Sequence, residues 1–402
     1  MKIINLKYIL LNVGLVLLAH VAQSQTYGNE WIKFNQQYYK IPVTQKGIYK
    51  LSYADLINAG IPVASIKPKQ LQVFHRGQEQ AILVNSTSTE VFASSDEVLF
   101  YGEGNDGTQD ALMYKDPSFL VNKYYNLYSD TTAYFLTWTL DGTLGKRMTV
   151  TNETNTGGLT AEAYHWKEEL QVFNSRYALG RRYPVGSTLD IYISEFDIAE
   201  GWVGPGISGS SQDFTFNVAN INSSSGVKPR LEVRYIGNSS VRVNKTRISV
   251  GNSAGSLRQL QEVQTLFQAN HTFSQEIELS DISGTGQVVV RVEETSGSVS
   301  LAYVRLVYPQ NVDMQSQTSN DFTLRANTGN KSYIEIANSA AGTQIFDITD
   351  QNNVGKIETG TSGSLLTAII NSTATERTLH ASSNAVFKNV IGISRVSFRN
   401  ID

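Results

Sequence analysis

Apolar residues in this chain recur at every second position, and that period admits few folds. In Pro229-Arg230-Leu231-Glu232-Val233-Arg234-Tyr235, the side chains of Leu231, Val233 and Tyr235 share one face and the charges take the other. Side chains alternate between the two faces of a strand, so this is the pattern of a half-buried strand and not of a helix. The same character marks residues 189–196, 213–218, 241–250, 272–279, 287–293 and 300–308. Breaks rich in Gly, Ser and Asn, such as 222–226 and 283–286, separate them. Seven or eight short alternating strands at this spacing predict an antiparallel β-sandwich, jelly-roll-like, over 160–310.

Two further units flank it. Residues 26–155 carry strand patterns at 38–43, 47–51, 71–75, 81–84, 98–101 and 133–138, with the Gly-containing stretch 152–158 as a linker. Residues 320–402 carry them at 322–325, 333–336, 344–348, 365–370 and 386–399. Only 52–58, stopped by Gly60 and Pro62, and 256–268 read as helix. The expected class is therefore all-β and multidomain, with short antiparallel strands and few short helices. The third unit reads as truncated before a further domain.

Residues 1–24 have the make-up of a signal peptide: a basic start at Lys2 and Lys7, an apolar run, and the small-residue site Ala22-Gln23-Ser24. Asn12, Gly14 and His20 interrupt the run, which is short for a spanning helix; a retained anchor is the alternative. No second stretch of that kind follows, so no transmembrane segment is expected after cleavage. The mature chain is expected to be exported and associated with the cell surface or outer membrane.

Composition closes several doors. The chain has no cysteine, which excludes a disulfide scaffold, a thiolate metal site and a thiol nucleophile. Without Lys2 and Lys7 the 33 basic residues become 31 against 36 acidic ones, a net charge of −5. With only 17% charged residues there is no basic stripe for nucleic acid; Arg181-Arg182 reads as a solvated turn. Apolar content of 41% is ample for packed cores.

Four motifs invite chemistry. Gly102-Glu103-Gly104-Asn105-Asp106-Gly107 fits a dinucleotide fingerprint, but Pro117 interrupts the helix such a loop must open, and its acids repel phosphate. Residues 204–209 fit the same pattern and read as a Pro-containing loop. Asn105, Asp106 and Asp110 within 102–110 could offer oxygens to calcium, although their spacing is not that of an EF-hand and a solvated turn is the simpler reading. Gly251-Asn252-Ser253-Ala254-Gly255 has the form of a nucleophile elbow, with His271 or His380 downstream. Its neighbours alternate with period two, where an elbow needs a parallel sheet with helices. His75, His165, His271 and His380 are scattered singly and suggest packing. No catalytic, cofactor-binding or metal residue is assigned, and no cofactor. The aromatics Tyr124, Tyr125, Tyr128, Tyr134, Phe135, Trp138, Trp166 and Trp202 read as core first, and otherwise as an exposed platform for sugars or a partner.

Several segments, in order, carry a resemblance: Tyr27-Gly28-Asn29-Glu30-Trp31-Ile32, Gly47-Ile48-Tyr49-Lys50-Leu51, Gly60-Ile61-Pro62, Phe100-Tyr101-Gly102, Gly145-Lys146-Arg147-Met148, Ala302-Tyr303-Val304-Arg305-Leu306-Val307-Tyr308-Pro309 and Phe346-Asp347-Ile348-Thr349-Asp350. Together they resemble the N-terminal, non-catalytic region of the gingipain-like cysteine-peptidase sortases of the Bacteroidota type IX secretion system. The Tyr-Gly-Asn-Glu-Trp opening is more similar to the second, paralogous form. The resemblance implies a parent protein whose peptidase domain cleaves the C-terminal sorting domains of secreted cargo. It also implies that these β units serve as scaffold, with that peptidase domain, outer-membrane secretion components and cargo as partners. The family's catalytic positions have no counterpart here. The competing class is an exported carbohydrate-binding or adhesin-like sandwich protein.

Overall fold

The computed structural model describes residues 28–185, 189–238 and 243–400. The expected signal peptide lies outside the described residues. The class is all-β: strands dominate, and the longest α-helix among the described residues is Tyr53–Asn58. That helix is set locally. The Ser52 hydroxyl accepts from the Asp55 N–H at 3.2 Å, while the Asp55 carboxylate accepts from the Ser52 N–H at 2.8 Å. This reciprocal cap satisfies two of the donors that a helix start leaves unpaired. The chain then turns away at Gly60, whose φ of 75° suits glycine.

Eight strands form the central sandwich. Asn270–Glu276, Arg230–Gly237, Val299–Gln310 and His165–Val172 make one layer; Ser211–Asn217, Gln287–Ser296, Val243–Gly251 and Arg258–Leu266 make the other. Counted along the chain, the layers read first-eighth-third-sixth and second-seventh-fourth-fifth, which is the order of a jelly roll built from two Greek keys. Period two sends Leu231, Val233 and Tyr235 inward from one layer and Ile248, Val250, Val288, Val290 and Val292 from the other, and all are buried. Each such side chain contributes about 1.5–3 kcal/mol of burial.

Two expectations need correction here. Residues 256–268 are not helical: Arg258–Leu266 is an edge strand paired antiparallel with Val243–Gly251. Its Gln, Glu and Leu residues favour a helix in isolation, but pairing buries Val263 and Thr265 and leaves the polar residues in solvent. The strand expected over 189–196 is short. Leu189–Ile191 pairs only with Tyr183–Val185 in a hairpin outside both layers, and His165–Val172 takes the first position in the jelly roll.

The flanking regions are also two-layered. In the first, Ser394–Val396, Tyr38–Val43, Thr132–Trp138, Leu71–His75 and Gln78–Gln80 face Lys388–Asn389, Gly47–Ser52, Glu97–Gly102 and Leu83–Asn85 across a core containing Ile41, Leu51, Leu71 and Phe100. Strands from 388–396 thus pair with strands from 38–52. Trp31, Tyr38, Phe74, Phe135 and Phe398 cluster at ring separations of 5.1–5.6 Å. In the last region, Lys331–Ile336, Leu365–Asn371 and Gly360–Ser362 pack on Ser319–Leu324, Arg377–Ser383, Thr343–Asp347 and Gly355–Ile357 around Phe322, Ile334 and Ile370. Its larger layer continues the central one, joined where Thr323 meets Trp166.

Besides the parallel pairing of Val150–Thr151 with Gly355–Ile357, two packed junctions hold the first region to the rest. Ile48, Leu99, Tyr101 and Met148 pack against Phe346, Ile348, Val354 and Phe387. Elsewhere, the segment after Gly102 lies on the outer face of the jelly roll. The Asn122 amide donates to the carbonyls of Ala302 and Phe173 at 3.2 and 3.3 Å, and the Arg234 guanidinium donates to those of Leu120 and Val121 at 2.5 and 3.3 Å. These bonds satisfy loop carbonyls and edges that burial would otherwise leave unpaired.

Candidate functional site: a cleft where three regions meet

A cleft of about 890 Å3 opens between the three regions, lined by Lys46, Tyr101 and Glu103 from the first, Trp166, Lys167 and Arg305 from the jelly roll, and Ser319, Asp321, Gln351 and His380 from the last. Strand alternation builds its floor. Along Ser319–Leu324 the residues Asn320, Phe322 and Leu324 are buried, which turns Ser319, Asp321 and Thr323 the other way. Asp321 stands opposite His380 across the ladder with Arg377–Ser383. The two meet at 2.6 Å through Asp321 Oδ1 and His380 Nδ1, and His380 Nε2 lies 3.5 Å from Ser319 Oγ.

Lys46, in the turn between Tyr38–Val43 and Gly47–Ser52, reaches across to Asp321 Oδ2 at 2.7 Å. Burial opposes ionisation of Asp321, but the His380 hydrogen bond and the Lys46 charge outweigh it and hold the carboxyl at about 2. The Lys46 side chain is still 63% exposed, so the His380 bond is the stronger anchor. Partial burial opposes the charge on Lys46, but the Asp321 carboxylate outweighs it and leaves the Lys46 pKa raised, so the ammonium persists. Tyr101 covers the imidazole edge-on at 5.6 Å and donates to Glu103 at 2.7 Å, and Glu103 accepts from the Gln351 amide at 2.5 Å. Burial and the Glu103 carboxylate push the Tyr101 phenol up.

The residues singled out in the sequence are distributed differently. Ser253 lies in an exposed turn, its hydroxyl 2.8 Å from that of Ser256, between antiparallel strands of one layer; His271 sits in the other layer beside Tyr235. The acidic loop spends its oxygens internally. Asn105 accepts from Arg76 at 3.0 Å, Asp106 accepts from the Thr108 N–H at 3.0 Å, and buried Asp110 accepts from Asn126 and from the Leu127 N–H at 2.6 and 2.7 Å. Its glycines serve close approach: a Cβ on Gly104 would lie 2.4 Å from the Thr44 carbonyl, and one on Gly107 2.1 Å from that of Asn122. Among the described residues no group of three or more His, Cys, Asp or Glu side chains is placed to hold a metal ion. No described helix is long and apolar enough to cross a membrane.

Among the described residues are four histidines, and three of them lie away from the cleft. His75 stacks on Tyr134 at 4.1 Å, His165 meets Gln310 at 3.1 Å in the core, and His271 lies against Tyr235. Of the aromatics, Tyr134 and Trp138 are buried, Tyr124 stands edge-on to Tyr303 at 4.8 Å, and the Trp202 indole donates to the Leu127 carbonyl at 3.0 Å. Tyr128 is exposed. Sequence reasoning placed His380 among isolated residues because 377–383 was not read as a strand. The available signal was Ser319-x-Asp321, a pair at i and i+2 that a strand must present on one side.

No protein-family model and no curated protein matches the sequence. Among solved structures the fold is similar to that of dimeric latent PorU from Porphyromonas gingivalis, at a TM-score of 0.62 and 12% identity, covering 91% of this chain and 34% of that one. The chain thus spans about a third of PorU's length. A Paenibacillus cycloisomaltooligosaccharide glucanotransferase is similar only at a TM-score of 0.20 and 8% identity, over 53% of this chain and 45% of that one. A likeness that weak carries no argument about this fold.

Proposed function

We propose that this chain is the non-catalytic scaffold of a type IX secretion protein related to the gingipain-like sortases. The observation that carries the reading is the fold shared with PorU over 91% of this chain. The ordered sequence resemblance supports it independently. So does the placement of the resembling segments: Ile48, Tyr101, Met148, Phe346 and Ile348 all lie in the junction between the first and last regions. Residues of that kind maintain an arrangement of units, which is what a scaffold requires.

On this reading the parent protein carries its His and Cys in a separate peptidase domain. The three units, 26–155, 160–310 and 320–402, hold that domain and meet outer-membrane components of the machinery at the cell surface. Contacts between domains of one chain are characteristically modest and polar. The finer assignment, to the second, paralogous form, rests on the Tyr27-Gly28-Asn29-Glu30-Trp31 opening alone.

The test is a deletion of 26–310 from the full-length protein in its native host, followed by assay of the sorting domain retained on secreted cargo. Retention of that domain, or loss of surface placement with the peptidase residues intact, is expected. Normal processing and normal placement would sink the scaffold reading. The reading frame beyond Asp402 gives a second check: a domain of alternating strands and helices with His and Cys supports it, and further sandwiches would favour a surface-binding protein.

A further inference from the structure

We propose that Ser319, His380 and Asp321 form an acyl-transfer site in the three-region cleft, with Ser319 Oγ as nucleophile toward small acyl esters of polar alcohols. This does not depend on the scaffold reading, and it limits the word non-catalytic there to peptide cleavage.

The hydrogen-bond order comes first. Asp321 is held ionised, so it can only accept, and its 2.6 Å partner His380 Nδ1 must carry the proton. In the neutral imidazole that leaves the lone pair on Nε2, the atom facing Ser319 Oγ at 3.5 Å. Nucleophile, base and orienting carboxylate thus stand in the sequence that such sites share on unrelated folds. A separation of 3.5 Å is long for a hydrogen bond, as catalytic contacts often are before substrate is bound.

Rigidity comes second. Ser319 and Asp321 share one strand, and His380 is paired to it, so the ladder fixes all three backbones. The His380 side chain is 5% exposed and roofed by Tyr101, whereas Ser319 is half-buried and lines the open cleft. A histidine serving only to fill the core would not need an ionised partner on one nitrogen and a cleft-lining hydroxyl on the other.

Substrate class follows from the walls. Lys46 lines the same cleft and its ammonium stands 2.7 Å from Asp321, whereas Lys167 is bound at 3.0 Å to Asn320, whose side chain takes the opposite face of the strand from Ser319. In the step proposed, the Ser319 O–H proton passes to His380 Nε2 as Oγ bonds to the acyl carbon. The ester C–O bond then breaks, and the departing alkoxide takes that proton and leaves as an alcohol. Water, deprotonated by the same nitrogen, then bonds to the acyl carbon; the Oγ–C bond breaks, Ser319 Oγ takes the proton back from His380, and the acid leaves. The Lys46 ammonium, on the Asp321 side of the cleft, is the cation available to the negative charge that develops on the carbonyl oxygen. An alcohol leaves more readily than an amine, so a site relying on side-chain cations suits esters rather than peptides.

The full chain treated with a fluorophosphonate should be modified at Ser319, as mapped by peptide mass spectrometry, and the absence of cysteine removes thiol labelling from the readout. Hydrolysis of p-nitrophenyl acetate should fall about a hundredfold in Ser319→Ala and in His380→Gln, and should be unchanged in Ser253→Ala. Labelling of the folded wild type spread evenly over surface serines, or absent from Ser319, overturns the proposal whether or not the variants fold. So does turnover that survives Ser319→Ala.

Discussion

Two buried histidines each contribute a loss of stability in acid. Desolvation lowers His75 to about 4, with the nearby Arg76 charge acting the same way, and desolvation lowers His165 to about 4. Unfolded, each would titrate near 6.5. The folded form therefore binds fewer protons between these values. Stability is complete above pH 6.5, falls as the pH drops through that window, and levels off below about 4, by at most about 3 kcal/mol for each residue. Thermal unfolding followed from pH 7 to 4 should show the loss, and His165→Gln should remove part of it. Arg147 illustrates the same scale without titration. Its guanidinium donates to the carbonyls of Pro68, Leu71 and Lys146 at 2.8–3.0 Å, and Gly145 makes room for it where a Cβ would fall 1.9 Å from the Leu71 oxygen. Arg147→Ala should cost about 3 kcal/mol by urea denaturation, since it strands buried carbonyls. The histidines were legible as isolated packing residues in three cases of four. His380 also packs, against Tyr101, but its pairing with Asp321 was not legible because 377–383 was not read as a strand.

At the scale of elements, strands whose faces differ in polarity were readable and strands stabilised by a partner were not. The alternation in Arg230–Gly237 follows from one buried face, so it is written in the residues themselves, whereas of Ser319–Leu324 only the part from Phe322 onward reads as strand. Arg258–Leu266 is mostly exposed, carries helix-favouring residues, and becomes a strand through the ladder with Val243–Gly251. The pairing of Ser394–Val396 with Tyr38–Lys40 is equally invisible in sequence, because it joins segments more than 350 positions apart. It has a measurable consequence. Removing 388–400 strips a strand from each layer of the first region and opens the Trp31–Phe398 aromatic cluster. The shortened protein should unfold at lower urea concentration, and its newly exposed edges should raise its tendency to associate, as seen by light scattering.

For the molecule as a whole, the division into 26–155, 160–310 and 320–402 remains a proposal that limited proteolysis can test. First cuts should fall near 152–158 and 311–318, and the fragments should stay associated, because one layer runs through both later regions and the first is pinned by Asn122 and Arg234. Early separation of a folded 26–155 fragment would count against the junctions described. The chain should also cleave no peptide substrate, having no thiol and no elbow serine in a competent setting. Iodoacetamide-insensitive peptide turnover lost in Ser253→Ala would overturn that. By itself the sequence determined what depends on composition and on neighbours two residues apart: an all-β class, the jelly-roll-like centre, and the exclusion of thiol chemistry. Only the tertiary structure decided which strands are partners, how three regions enclose one cleft, and that Ser319, Asp321, His380 and Lys46 converge there. Period two tells which way a side chain faces. It does not say what it will meet, because cross-strand neighbours are chosen by the burial of whole layers and not by any local pattern.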